Sequence, residues 1–165
     1  MRPVPRVPPG PGQESVWDYP RPPRIERSAE TVEVRLGGRT VATTGASYRV
    51  LETSHPPTYY LPRGAFAEGV LRPVAGTTVC EWKGRATYFD VVTPGRAAER
   101  AAWTYPTPTP GFAALLDHLA VMPGLVDECV VDGEVVRAQD GGFYGGWITD
   151  RVVGPFKGAP GSWGW

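Results

Sequence analysis

Lysine is the scarcest charge in this chain. Of its 17 basic residues only Lys83 and Lys157 are lysines, and each stands before a glycine in a similar frame, Trp82-Lys83-Gly84 and Phe156-Lys157-Gly158. An arginine bias of this kind also follows from GC-rich coding, but the two lysines stand out against it. Net charge is absent too: 17 basic and 17 acidic residues cancel. No basic field exists to hold nucleic acid or an anionic membrane, so neither is expected as a partner. With two cysteines, Cys80 and Cys129, far apart in sequence, no disulfide framework is indicated. No apolar run is long enough to span a bilayer and the N-terminus lacks the apolar core of a signal peptide, so a reducing cytoplasm is the expected compartment.

Several chemistries lack their motifs. There is no CxxC pair, and His55 and His118 are isolated, so no metal site is expected. A nucleotide-binding GxGxxG, a phosphate loop and a GxSxG nucleophile elbow are all missing. Gly141-Gly142-Phe143-Tyr144-Gly145-Gly146 is rich in glycine, but no helix follows it. No cofactor is implied. The length of 165 residues suits one domain, or one domain and a tail.

Glycine and proline are plentiful, with 21 and 19 copies, and most of them punctuate apolar runs. Residues 1–13 read as a flexible proline-rich arm, and residues 14–165 as a single β-rich domain. Val32, Val34 and Leu36 alternate with polar residues up to Gly37-Gly38, which predicts a hairpin. Strands are expected over residues 48–52 and 59–61. Asp132-Gly133 predicts a further hairpin between residues 129 and 136. A two-residue turn at Lys83-Gly84 predicts one more, with Thr87 opposite Cys80, Phe89 opposite Thr78, and Thr78, Cys80 and Trp82 on one face. Residues 97–102 suit a weak helix or a strand running into Trp103. Thr109-Pro110 can start a helix, and Phe112, Leu115, Leu116, Leu119 and Ala120 follow helical spacing. The fold expected is mainly β: a compact antiparallel sheet or barrel-like body with one short α-helix near residues 110–121.

Five stretches carry a family resemblance. They are Glu52-Thr53-Ser54-His55-Pro56-Pro57-Thr58-Tyr59-Tyr60-Leu61-Pro62; Thr78-Val79-Cys80-Glu81-Trp82-Lys83-Gly84-Arg85-Ala86; Ala102-Trp103-Thr104-Tyr105-Pro106; Phe143-Tyr144-Gly145-Gly146-Trp147-Ile148-Thr149; and Val153-Gly154-Pro155-Phe156-Lys157-Gly158-Ala159-Pro160-Gly161. In this order they resemble the family catalogued as domain of unknown function 427, from about Glu14 to Trp165. The resemblance implies a small, β-rich bacterial or fungal protein with no settled activity. The family has also carried a nucleotidyltransferase-like label. That chemistry needs a carboxylate cluster for metal ions, and no Gly-Ser followed by Asp-x-Asp occurs here. Family members carry proline between the cysteine and the tryptophan of the second stretch, where this chain has Glu81.

The same stretches pair charge with aromatics. Tyrosine and tryptophan enter a core where their polar tips find partners. So many together predict an aromatic-walled pocket with a carboxylate and one or two ammonium groups at its edge. The alternative is that they cement a loop-rich fold. On the first reading the chain is a metal-independent enzyme acting on a small molecule. Glu52 is its acid or base, Lys83 holds an anionic group, and Cys80 is a reserve nucleophile. Tyr60, Trp82, Trp103, Tyr105, Tyr144, Trp147 and Lys157 are the expected substrate contacts. Gly145 and Gly146 would bring backbone close to the ligand. A non-catalytic binding module and a scaffold using a patch of Trp147, Trp163 and Trp165 remain as alternatives. Homo-oligomerisation is left open.

Overall fold

The computed structural model describes residues 4–165. The N-terminal half forms strands β1 (Glu14–Ser15), β2 (Arg24–Ser28), β3 (Val32–Leu36), β4 (Arg39–Thr44), β5 (Ser47–Leu51) and β6 (Thr58–Pro62). Three longer strands follow: β7 (Leu71–Cys80), β8 (Gly84–Thr93) and β9 (Arg96–Thr104). The rest are short: β10 (His118–Val121), β11 (Glu128–Val131), β12 (Glu134–Val135), β13 (Arg137–Ala138), β14 (Trp147–Ile148) and β15 (Val152–Val153). The protein is therefore mainly β, as the alternation and turn residues predict.

Local turn chemistry builds the first hairpins. Gly37 and Gly38 both have positive φ, 62° and 75°, and join β3 to β4 with Leu36 opposite Arg39. Asp132 and Gly133, at 47° and 81°, join β11 to β12 in the same way. Both central residues of such a turn need left-handed backbone, which glycine and aspartate tolerate. The two hairpins pair through β11 and β3 into a four-stranded sheet ordered β12-β11-β3-β4.

The second sheet is antiparallel and seven-stranded, ordered β2-β5-β6-β10-β9-β8-β7. One of its faces packs on the four-stranded sheet. Val32, Val34, Val41, Cys129 and Val131 from the smaller sheet meet Tyr59, Leu61, Phe89, Val91 and Leu119 from the larger in one buried core. Its other face carries Val50, Tyr60, Ala86 and Ala120, with Tyr88 and Trp103 partly buried against them. The period-2 alternation of a strand thus sends neighbouring tyrosines to opposite faces: Tyr59 inward between the sheets, Tyr60 outward.

Two expectations need correction. The helical element over 110–121 is realised only as 3-10 turns over Pro110–Leu115. Asp117 adopts a left-handed φ of 58°, and residues 118–121 become β10, hydrogen-bonded between β6 and β9. Leu119 and Ala120 are buried on opposite faces of the sheet, while Leu116 is half-exposed. A strand covered on both faces reads as a continuous apolar run, so its residues mimicked a helical stripe. Thr109 does not cap a helix. Its hydroxyl donates to the Trp82 carbonyl at 2.6 Å instead.

That bond belongs to the second correction. The β7–β8 turn has three residues, Glu81, Trp82 and Lys83, and it sets Cys80 opposite Gly84 and Thr78 opposite Ala86. Thr87 faces Thr77, and Phe89 faces Pro73 beyond a bulge between Val74 and Thr77. Thr109 grips this turn twice, since its N–H also donates to the Lys83 carbonyl at 3.1 Å. A tertiary contact thus overrides the turn length that local sequence favours.

Residues 97–102 are strand, within β9. Of the arm expected over residues 1–13, residues 1–3 lie outside the described residues. Val7 N–H donates to the Gly154 carbonyl at 2.9 Å, and the Gln13 side chain to the Asp150 carbonyl at 2.9 Å. No helix is long and apolar enough to cross a membrane among the described residues.

Candidate functional site

The outer face of the seven-stranded sheet floors a cavity of about 590 Å³. That lies within the range of small-molecule sites. Its lining comes from many segments. Strand β6 supplies Tyr60, β8 supplies Tyr88 and β9 supplies Trp103. Cys80 ends β7, Lys83 closes the turn after it, and Tyr105 follows β9 directly. The loop after β5 brings Glu52 and His55, and the C-terminal third brings Gln139, Tyr144 and Lys157.

Eight of the ten residues singled out in the sequence therefore share one cavity: Glu52, Tyr60, Cys80, Lys83, Trp103, Tyr105, Tyr144 and Lys157. Both lysines of the chain are among them. Two predicted contacts do not line it. Trp147 is fully buried between the sheets, stacked on Tyr59 with centroids 4.9 Å apart and donating its indole N–H to the Val121 carbonyl at 3.0 Å. Trp82 packs beside Tyr105 and Phe112 in the outer-face cluster, displaced by the three-residue turn. The tryptophan patch does not form either. Trp163 is exposed, but Trp147 is buried and Trp165 leans edge-on against Trp17 at 5.5 Å.

Lys83 dominates the electrostatics of the floor. Among the described residues its ammonium has no side-chain carboxylate within 4.0 Å. It lies over the Tyr105 ring, 5.8 Å from the centroid. Burial works against its charge, but Tyr60, Cys80 and Glu52 around it outweigh burial, and its pKa sits above the ordinary lysine value. Lys83 is thus a cation at neutral pH. Burial, the largest influence on each, pushes the Tyr60 and Tyr105 phenols upward, so both remain O–H donors. Their centroids are 6.3 Å apart. Lys157 lies 5.9 Å from the Tyr144 centroid and donates to the Trp165 main-chain oxygen at 3.2 Å.

Across the cavity, His55 is held in one tautomer. Gln139 accepts from the Gly146 N–H at 3.1 Å and donates to the Lys157 carbonyl at 2.6 Å, which fixes its amide orientation. Its nitrogen also faces His55 Nδ1 at 3.3 Å. An amide N–H cannot accept, so Nδ1 is the acceptor and the ring proton sits on Nε2. Nε2 faces Glu52 Oε2 at 3.6 Å, longer than a hydrogen bond. Burial, then the charges of Lys157, Arg21 and Lys83, push the His55 pKa down to about 4. Glu52 is paired with the Arg21 guanidinium at 3.4 Å rather than with Lys83.

His55, Gln139 and Arg100 are site residues that the sequence reading missed. His55 stands three positions after Glu52 in a stretch already singled out, so a signal existed. Gln139 and Arg100 had none. Arg100 stacks over Tyr88 at 4.3 Å and sits at the cavity rim with a left-handed φ of 51°. Gly145 lines the cavity and Gly146 does not, and both are also packed too closely for a side chain. A Cβ at 145 would overlap the Trp103 ring, and one at 146 would meet Pro56 and Gln139 at 2.5 Å.

The nucleotidyltransferase-like label implies divalent metal, and the donors here do not fit it. Among the described residues no three His, Cys, Asp or Glu side chains converge. Residues 24–132 match the model of a family described as domain of unknown function (DUF427). That span contains the floor of the cavity but not its wall of Gln139, Tyr144 and Lys157. Among curated proteins nothing matches the chain.

Proposed function

The chain belongs to this DUF427 family, whose description assigns no activity, and from the cavity itself we propose a small-molecule enzyme that takes an anionic substrate and moves a proton without a metal. One observation carries the reading. The two lysines of a chain with no net charge line the same cavity, and neither has a side-chain carboxylate within 4.0 Å among the described residues. Its surroundings keep Lys83 charged, and with no carboxylate in contact its ammonium is left open to a ligand anion. Lys83 and the Tyr60 and Tyr105 hydroxyls hold the anionic group. Glu52 accepts the proton that the substrate gives up. The Nε2–H of His55, locked by Gln139, faces that carboxylate from 3.6 Å. The negative charge left on the substrate stays beside Lys83. Cys80 stands next to this group without a required part.

The test combines binding with exchange. Small acids that co-purify with the native protein are identified by mass spectrometry, then returned in heavy water. Lys83→Met is expected to lose binding. Glu52→Gln is expected to keep binding but lose deuterium incorporation. The Arg21 pairing of Glu52 favours a second reading, a non-catalytic binding module, because a partnered carboxylate is a weaker base. On that reading the unmodified protein binds the acid and incorporates no deuterium.

A further inference from the structure

The cavity has two unlike ends. Its floor is buried and polar-tipped: Tyr60 is 1% exposed and Tyr105 5%, beside the Lys83 ammonium. Its mouth is apolar and open. Val79, Phe143 and Leu125 line it, at 75%, 77% and 46% exposure. Few large hydrophobic side chains are this exposed anywhere in the described residues, and these three line the same cavity. Apolar side chains gathered at an open rim mark a binding surface rather than scattered surface residues. Arg100 also stands at the rim, so the mouth joins these apolar side chains to one further cation. The lining carries Lys83, Lys157 and Arg100 against the single carboxylate of Glu52, which Arg21 already engages.

Resting on the anionic-substrate reading above, we infer that the ligand is an amphiphile: an anionic head at Lys83 joined to an apolar tail that leaves through Val79, Leu125 and Phe143. A compact, uniformly polar acid would leave that rim bare. A ligand with an apolar end covers it and gains from each carbon withdrawn from water. A volume of about 590 Å³ suits one small molecule rather than an inserted protein segment.

Unbranched carboxylates of increasing length test this, titrated by calorimetry and NMR: propanoate, hexanoate and octanoate, with hexylammonium as the opposite charge. Each methylene that reaches the rim is expected to tighten binding about fourfold, so hexanoate exceeds propanoate at least tenfold. Hexylammonium does not bind. The doubly substituted V79S/F143S protein, changed only at exposed positions, loses most of the gain for octanoate. Propanoate is too short to reach the rim and keeps its affinity. Equal affinity for all three acids, or octanoate binding that ignores the double substitution, overturns the amphiphile and leaves the anion reading standing. Carboxylates that bind equally well to the Lys83→Met protein, or not at all to the unmodified one, overturn the anion reading itself. Association of the protein through this mouth, seen as a dimer in sedimentation that V79S/F143S abolishes, would make a second copy the occupant and also overturn the amphiphile.

Discussion

Two groups of buried charge sit on either side of β5 and β6, and they are handled in opposite ways. Arg49 on β5 is completely buried, yet Glu14 meets it at 2.9 Å and Glu26 meets it too. Arg151 extends the cluster to Glu14 at 3.2 Å and Glu30 at 2.9 Å, and Tyr19 and Tyr59 donate to Glu14 and Glu30. This network ties the segment around β1, the edge of the large sheet and the segment around β15 together. Lys83 is also largely buried, and among the described residues no carboxylate lies within 4.0 Å of it, Glu52 acting only from farther away. One fold thus holds a closed set of charges for architecture and an open one at a cavity. The difference teaches that burial of an ionic group does not by itself mark a site. The missing partner does.

The largest expected effect breaks the closed side. Arg49→Met removes the buried central cation and leaves Glu14 and Glu26 only Arg151, Tyr19 and Arg24 as partners, and is expected to cost about 2–4 kcal/mol in urea unfolding. That is somewhat below the figure for a wholly buried pair, because both carboxylates are about one-third exposed. A loss below about 1 kcal/mol would show that the network is not structural.

Acid separates the two regions by pH window. His55 falls from 6.5 to about 4 in the folded protein, so the unfolded chain binds more protons between those values. Stability then declines as pH drops through that window, by up to about 3 kcal/mol. For Glu14, burial raises the pKa, but Arg49, Tyr19 and Arg151 outweigh it and bring it from 4.5 to about 2. Its contribution is present above pH 4.5 and fades as pH falls toward 2. His55→Gln should flatten the upper window in pH-dependent unfolding and leave the lower one. Glu14→Gln should do the reverse.

A smaller effect probes the support of the open side. Thr109→Val removes the hydroxyl bond to the Trp82 carbonyl and should cost about 1 kcal/mol, a typical single hydrogen bond. It should also weaken anion binding, because the turn that carries Lys83 loosens. Unchanged binding with lowered stability would assign that clamp to architecture alone.

The smallest effect is the sharpest contrast. Lys83→Met removes a charge that Tyr60, Cys80 and the more distant Glu52 favour only weakly and that no carboxylate among the described residues contacts, so stability should fall by less than about 0.5 kcal/mol. A cost approaching that of Arg49→Met would make Lys83 part of the cement and erase the distinction between the regions.

The legible parts of this fold were those governed by neighbours in the chain. Gly37-Gly38 and Asp132-Gly133 announced their hairpins because only such residues accept two consecutive left-handed positions. Alternation announced β3, because side chains of a strand must take turns between its faces, and the proline breaks around residues 56–62 bounded β5 and β6. The two lysines were visible as oddities of composition. Both were expected at one pocket and both line it, but which groups would surround each was not visible. The split between Tyr59 and Tyr60 depended on which face the smaller sheet covers. The turn before Lys83 depended on Thr109, and β10 on the two strands that flank it. Gln139 locks His55 across 84 positions of sequence. The sequence alone determined the local geometry and the supply of charge and aromatic groups, because turns and alternation are short-range. Only the tertiary structure decided which charges were answered and which were left facing a cavity, because a charge is answered by whatever the fold brings to it.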